Sequence, residues 1–179
     1  MVRPRRLPAL FVTVALVVVS HPSSNPTPPC LARPVPGPVV EPFEQPPCPW
    51  CPGNVSVDLA SSAGETVVAP VSGVVSFAGQ VAGIGYVSIQ STSWEGHTAT
   101  VGAVRTEVRV GDHLVVGRRL GTATGERVGL SLRRIEPSGP VYLDPVARFG
   151  RWVGRARLVP RDGTAWVRPR ARVTCSGAR

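Results

Sequence analysis

The chain has 179 residues, with 20 basic and 11 acidic side chains and a formal net charge of +9. This length allows one domain with a sizeable core, and it excludes two comfortable domains once an N-terminal targeting segment is set aside. The basic excess would ordinarily indicate nucleic acid, anionic lipid or an acidic polymer as a partner. All of the basic residues are arginine, however, which is typical of a GC-rich genome, so composition alone identifies no partner.

Residues 1–22 have the features of a signal peptide. Arg3, Arg5 and Arg6 precede an apolar run over residues 7–19, which is too short to span a bilayer as a stable helix. We therefore expect an exported, extracytoplasmic protein without a membrane span after cleavage. Removal of the three arginines leaves a mature net charge of +6 (9 minus 3).

Residues 23–47 are dense in proline. Proline fixes its backbone φ angle and lacks the N–H donor that helices and strand ladders need. We expect an extended lead-in that separates the folded domain from the membrane or the cell wall.

Four cysteines, Cys30, Cys48, Cys51 and Cys175, occur in the chain. In an exported protein they are expected to form disulfides rather than metal thiolate ligands, and three connectivities are open. Proximity favours a Cys48–Cys51 pair, which leaves Cys30 and Cys175 to join the two ends of the domain. A redox role for the Cys-x-x-Cys pair is disfavoured because no thioredoxin-like strand and helix surround it.

From residue 55 the sequence changes to short β-rich runs separated by glycine, which is typical of a small sandwich or barrel. The predicted strands are residues 55–60, 66–69, 73–81, 86–90, 98–104, 114–116 and 127–134. In the last strand, alternation places Val128, Leu130 and Leu132 on an apolar face, with Arg127, Gly129, Ser131 and Arg133 opposite. In residues 86–90, the same alternation places Val87 and Ile89 on an apolar face. We predict one compact all-β core over residues 48–150.

Residues 151–179 are expected to form an arginine-rich C-terminal extension. Asp162-Gly163 lies between two short apolar pairs, a pattern typical of a β-hairpin turn. Asp162 is the only acid among nine arginines between positions 148 and 179. The expected hairpin would offer a cationic surface to anionic wall polymer or lipid head groups.

Several glycine-containing segments follow one another across the core. They include Gly53-Asn-Val-Ser-Val-Asp58, Gly64-Glu-Thr-Val-Val-Ala-Pro70, Gly73-Val-Val-Ser-Phe-Ala-Gly79, Val108-Arg-Val-Gly-Asp-His-Leu114 and Tyr142-Leu-Asp-Pro145. This ordered series resembles the lysostaphin-type, or LytM-type, peptidoglycan (murein) zinc metalloendopeptidases over about residues 38–159. The resemblance implies a compact β-sheet core with a shallow zinc groove, and cleavage of peptidoglycan peptides.

The resemblance also implies a tetrahedral zinc ion held by two imidazoles and one carboxylate, with water in the open position. The family's His and Asp ligands match Asn54 and Asp58, and its His-x-His pair matches Arg127 and Gly129. A further family histidine falls at Gly102, within a residue or two. Only Asp58 is retained, so we predict a degenerate site with no intact catalytic set and no zinc cofactor.

Our preferred hypothesis is a cell-wall-associated, non-catalytic relative that binds peptidoglycan or regulates a wall enzyme. Arg127 and Arg133 would lie on the groove side of their strand and bind stem-peptide carboxylates. The alternative is an active zinc endopeptidase with the unconventional ligands Asp58, His97 and His113.

Two other classes of protein fit the sequence less well. Nucleic-acid binding is not expected because export removes most such targets. A biotinyl or lipoyl carrier is excluded because the chain has no lysine to carry the cofactor.

Overall fold

The computed structural model describes residues 30–48, 51–153 and 172–174. The predicted signal peptide lies outside this part of the chain. The described strands are β1 (Val39–Glu41), β2 (Val57–Ala60), β3 (Thr66–Val68), β4 (Gly73–Val81), β5 (Ile84–Ser91), β6 (His97–Gly102), β7 (Val104–Thr106), β8 (His113–Leu114), β9 (Arg119–Ala123), β10 (Arg127–Glu136), β11 (Gly139–Leu143), β12 (Arg151–Val153) and β13 (Arg172–Thr174). A 3₁₀ turn covers Val146–Arg148. Within the described ranges, no helix has the length and apolarity needed to cross a membrane.

The strands form three antiparallel sheets. The main sheet has eight strands in the order β1-β2-β10-β6-β5-β4-β8, with β11 beside β10. A smaller sheet has the order β3-β9-β7, and β12 pairs with β13. The predicted all-β class is confirmed. The β12–β13 pair lies where the C-terminal hairpin was expected, whereas its predicted turn at Asp162-Gly163 lies outside the described residues.

One hydrophobic cluster includes side chains from both larger sheets. Val128, Leu130 and Leu132 alternate along β10 and are fully buried, as are Val87 and Ile89 in β5. The alternation predicted for these two strands is therefore confirmed. Burial of this face leaves the opposite face of the main sheet for polar residues.

The predicted strand over residues 98–104 is divided in two. Ala103 has a φ of 58°, in the left-handed region that residues other than glycine rarely adopt. The chain turns there from β6 in the main sheet to β7 in the smaller one. A conformational break at an alanine has no clear signal in the sequence.

The proline-rich lead-in differs from the expected spacer along its described part. Leu31, Ala32 and Val35 are buried in the core. Residues 39–41 contain no proline, so their backbone pairs with β2 and forms the edge of the main sheet. This part of the segment belongs to the folded domain.

The local disulfide forms as predicted, between Cys48 and Cys51 with their Cα atoms 5.0 Å apart. At the base of the loop, Glu44 and Asn54 exchange two backbone hydrogen bonds of 2.8 Å. The disulfide and this bridge together restrain the loop that leads to Asn54.

The surroundings of Cys30 bear on the expected Cys30–Cys175 disulfide. Cys30 is disulfide-bonded, while Cys175 lies outside the described residues. A β-carbon at Gly150 would lie 2.6 Å from the Cys30 Cβ and 2.9 Å from the Thr174 carbonyl oxygen. The residue that precedes Cys175 therefore lies beside Cys30. We expect a Cys30–Cys175 bond, and peptide mapping under non-reducing conditions should recover the two joined peptides.

Loss of this long-range bond should also lower stability. We expect Cys30→Ser to reduce the free energy of unfolding by about 2–4 kcal/mol, because the bond closes a long loop in the unfolded chain. The matched variant Cys48→Ser/Cys51→Ser opens only a short loop, so its loss should be smaller. A mapped peptide that joins Cys30 to Cys48 or Cys51 would contradict this connectivity.

Candidate functional site

The polar face of the main sheet carries an open groove of about 220 Å³. In its floor, Gly129 of β10 pairs with Asp58 of β2 on one side and with Gly102 of β6 on the other. Two neighbouring glycines present no side chains above the backbone, which leaves a depression beside the Asp58 carboxylate.

The four positions that match the family's His, Asp and His-x-His residues come together at this groove. A β-carbon at Gly129 would lie 3.3 Å from Asp58 Oδ1 and 4.0 Å from Ser56 Oγ. Ser56 Oγ donates a hydrogen bond of 2.9 Å to Asn54 Oδ1. Arg127 Nη1 lies 4.0 Å from Asp58 Oδ2. The structure thus places the four matching positions in one small region.

The side chain of Asn54 is occupied by local hydrogen bonds. Its Nδ2 donates to the Pro42 carbonyl oxygen at 3.0 Å, and its Oδ1 also accepts the Ser56 N–H at 3.1 Å. Asn54 therefore holds the loop in place and orients Ser56. It is a weak substitute for an imidazole ligand because its amide oxygen is neutral and already engaged.

Three charged side chains form one end of the groove. Arg127 Nη1 lies 2.9 Å from Glu41 Oε2, and the β1–β2 register places Glu41 opposite Asp58. Two carboxylates thus face one guanidinium, which leaves this end with a net negative charge. Glu41 was not predicted as a groove residue because it lies in the proline-rich segment. The absence of proline from residues 39–41 was the feature of the sequence that could have indicated a strand there.

The pKa of Asp58 is raised by burial first and by the neighbouring negative charge second. Partial burial of the carboxyl raises its pKa above the ordinary 3.8, and repulsion from Glu41 raises it further. Arg127 acts in the opposite direction but does not cancel these effects. An additional cation beside Asp58 would therefore be favourable.

Hydroxyl groups form the middle of the groove floor. Ser131 of β10 pairs with Thr100 of β6, and Thr100 pairs with Ser88 of β5. Ser88 Oγ and Thr100 Oγ1 are hydrogen-bonded at 2.8 Å. Directly paired residues project from the same face of an antiparallel sheet, so these hydroxyls share the face of Gly129.

The β4–β5 hairpin provides an apolar wall. Val81 and Ile84 are opposite each other at its tip, with 55% and 47% of their surfaces exposed. The Tyr86 ring lies 2.7 Å from where a β-carbon at Gly102 would be, so the glycine makes room for the ring. Ile84 and Tyr86 both line the groove. The groove therefore has a charged side and an apolar side.

Arg133 lies on the groove face of β10, beyond the hydroxyl floor. It pairs with Thr98 of β6 and Tyr142 of β11. Its Nε is buried and has no hydrogen-bond partner among the described residues. A partly buried guanidinium without a partner is suited to an anionic ligand.

The two other histidines considered as ligands lie away from Asp58. His97 is only 7% exposed and stacks on Trp94 with ring centroids 4.0 Å apart. His113 lies in β8, paired with Val74 at the far edge of the main sheet. Within the described ranges, no group of three or more His, Cys, Asp or Glu side chains could hold a metal ion. The groove residues do not fit zinc, since Asp58 is accompanied by an engaged amide and a guanidinium.

No protein-family model and no curated protein matches the sequence. Solved structures do match. Helicobacter pylori Csd3 is similar at 19% identity and a TM-score of 0.56, and the alignment covers 74% of this chain and 38% of Csd3. Lysostaphin is similar at 17% identity and a TM-score of 0.55, and the alignment covers 76% of this chain and 62% of lysostaphin. This chain has the lysostaphin-type fold. A chain of the SpoIIQ–SpoIIIAH pore-forming complex is also similar, at 19% identity (TM-score 0.54, covering 68% of this chain and 91% of that one).

The lysostaphin-type fold predicted from the ordered motifs is confirmed by these comparisons. The alignments cover less than two thirds of the Csd3 and lysostaphin chains. The similarity therefore concerns one part of each of those proteins. At these sequence identities it establishes a shared fold.

Proposed function

We propose that this chain is an exported, cell-wall-associated and non-catalytic protein that binds peptidoglycan through the groove. One observation carries the proposal. The positions that match the zinc-site residues converge on the groove of a lysostaphin-type fold, yet Asn54, Arg127 and Gly129 stand where imidazoles are required. The groove is retained while its hydrolytic chemistry is lost.

Hydrolysis by a zinc peptidase requires a Lewis acid that activates water and polarises the scissile carbonyl. Asp58 alone offers one ligand of the three that a catalytic zinc site needs. Arg127 holds a guanidinium 4.0 Å from that carboxylate, and a guanidinium has no lone pair to offer a metal ion. We therefore infer that the protein works without zinc.

The remaining features of the groove favour binding of an extended peptide. The hydroxyls of Ser131 and Thr100 can exchange hydrogen bonds with a peptide backbone, and Ile84 and Tyr86 can cover aliphatic side chains. The groove is open along the sheet face, so a polymer-bound peptide can lie across it. The resemblance of the ordered motifs to lysostaphin-type peptidoglycan peptidases supports a ligand from the cell wall.

The contribution of the groove arginines can be measured by retention of the mature chain on purified peptidoglycan. We expect Arg127→Ala/Arg133→Ala to weaken retention by about tenfold, through the loss of a charged hydrogen bond between Arg133 and the ligand. The matched variant Arg109→Ala/Arg118→Ala removes the same charge from exposed positions outside the groove. Unchanged retention, or equal losses in the two variants, would count against a groove-based interaction.

A wall enzyme is the second candidate partner. The similar chain in the SpoIIQ–SpoIIIAH complex belongs to an assembly described as pore-forming, so this fold also occurs in protein–protein assemblies. A partner protein with an extended segment could occupy the same groove by the same contacts.

A further inference from the structure

The polar face of the main sheet has two oppositely charged ends: one lies in the groove, and the other is at Arg133, further along β10 and beyond the residues that line the groove. At one end, Asp58 and Glu41 together outweigh Arg127, which is held by Glu41 at 2.9 Å. At the other end, Arg133 has no acidic partner among the described residues, and its buried Nε makes no hydrogen bond. The acidic end is therefore suited to a cation and the Arg133 end to an anion.

The strand register gives the separation between these two ends. Gly129 pairs with Asp58, and Arg133 is four residues further along β10 on the same face. At about 3.3 Å per residue, the two positions are about 13 Å apart. A fully extended peptide of four residues has about the same length.

The surface between the ends is suited to the body of such a peptide. Ser131 and Thr100 provide hydroxyls along the floor, and Ser88 continues this row of hydroxyls onto β5. Among the described residues, Asp58 and Arg127 are the charged residues of the groove lining, and both lie at the acidic end, whereas Arg133 lies beyond the lining. The middle therefore fits neutral backbone.

We propose that the groove, together with the sheet face that continues from it to Arg133, recognises a zwitterionic, extended peptide of about four residues, with its ammonium group at Asp58 and its carboxylate at Arg133. This inference rests on the proposed function and adds the chemical group and the direction of the ligand. It assigns Asp58, the retained family carboxylate, to binding an organic cation. It also assigns the carboxylate of the ligand to Arg133 alone, because Arg127 is paired with Glu41.

Tetra-alanine is a suitable probe because it has the required length and no charged side chain. Its dissociation constant for the full mature chain would be measured by NMR titration and compared with those of N-acetyl-tetra-alanine and tetra-alanine amide. Each cap removes one terminal charge and leaves the protein untouched. We expect each cap to weaken binding by about tenfold, as for loss of a charged hydrogen bond.

Two conservative variants test which protein side chain binds each terminus of the peptide. Asp58→Asn should weaken tetra-alanine binding by about tenfold without weakening the acetylated peptide further, because that peptide has no ammonium group. Arg133→Gln should show the same pattern with the amide. Arg109→Gln, which removes an exposed charge outside the groove, should leave all three affinities unchanged.

Three results would overturn the inference: no detectable binding of tetra-alanine, equal affinity for the three peptides, or an Asp58→Asn loss that persists for the acetylated peptide. These results differ from failure of the proposed function. In that case the mature chain would not be retained on peptidoglycan at all. Retention that is insensitive to both Asp58→Asn and Arg133→Gln would preserve peptidoglycan binding and exclude this mode of recognition.

Discussion

The variant Asn54→His/Arg127→His/Gly129→His should bind about one equivalent of zinc, whereas the natural chain should bind none. The reason is geometric. A β-carbon at Gly129 would lie 3.3 Å from Asp58 Oδ1, and Asn54 is joined to the same cluster through Ser56. Histidines at positions 54 and 129 would supply two imidazoles beside the Asp58 carboxylate, around an open position. The change at Arg127 also replaces a guanidinium, which cannot act as a metal ligand.

Zinc would be measured by elemental analysis after dialysis, for the natural chain and the triple variant in parallel. The control carries Asp58→Ala in addition to the three histidines, and it should lose most of the zinc because one ligand is removed. Stoichiometric zinc in the natural chain would contradict the account of a degenerate site. Absence of zinc from the triple variant would show that the four positions do not share a ligand geometry.

Gly85→Ala should reduce the free energy of unfolding by about 3 kcal/mol, at the upper end of the usual cost of overpacking. Gly85 is a buried residue of β5, where the main sheet approaches β7 of the smaller sheet. A β-carbon there would lie 2.0 Å from the Val104 carbonyl oxygen. Backbone cannot rotate away as a flexible side chain can, so the two sheets would have to separate locally.

The matched control is Gly125→Ala, since a β-carbon at Gly125 would have no heavy atom within 4 Å. We expect this change to alter stability by no more than about 0.5 kcal/mol. Urea unfolding of the two variants and the natural chain would give the three free energies. Equal stabilities for Gly85→Ala and Gly125→Ala would contradict the close approach of β5 and β7.

Features of the fold that depend on a local sequence pattern could be predicted from the sequence. Alternation in β10 predicted which residues are buried, and the spacing of Cys48 and Cys51 predicted their disulfide. The ordered motifs predicted the fold and gave the positions of Asn54 and Asp58, which the structure brings together with Gly129. These features depend on short segments or on a resemblance that spans the whole core.

The features that depend on distant pairing were not predictable. Glu41 reaches the groove because β1 pairs with β2, and the prolines around β1 obscured that strand. Arg127 was expected to be free for ligand carboxylates, but its pairing with Glu41 follows from the same long-range register. The break at Ala103 depends on where the two sheets meet. Local propensity carries no information about such contacts.

The central claim is that the protein binds peptidoglycan without cleaving it. Incubation of the mature chain with insoluble peptidoglycan in zinc-containing buffer, followed by centrifugation, gives the bound protein in the pellet and released peptides in the supernatant. Our account predicts that the protein sediments with the polymer and that no new peptide amines appear. Release of peptides that stops in an Asp58→Ala variant, or failure of the protein to sediment, would contradict it.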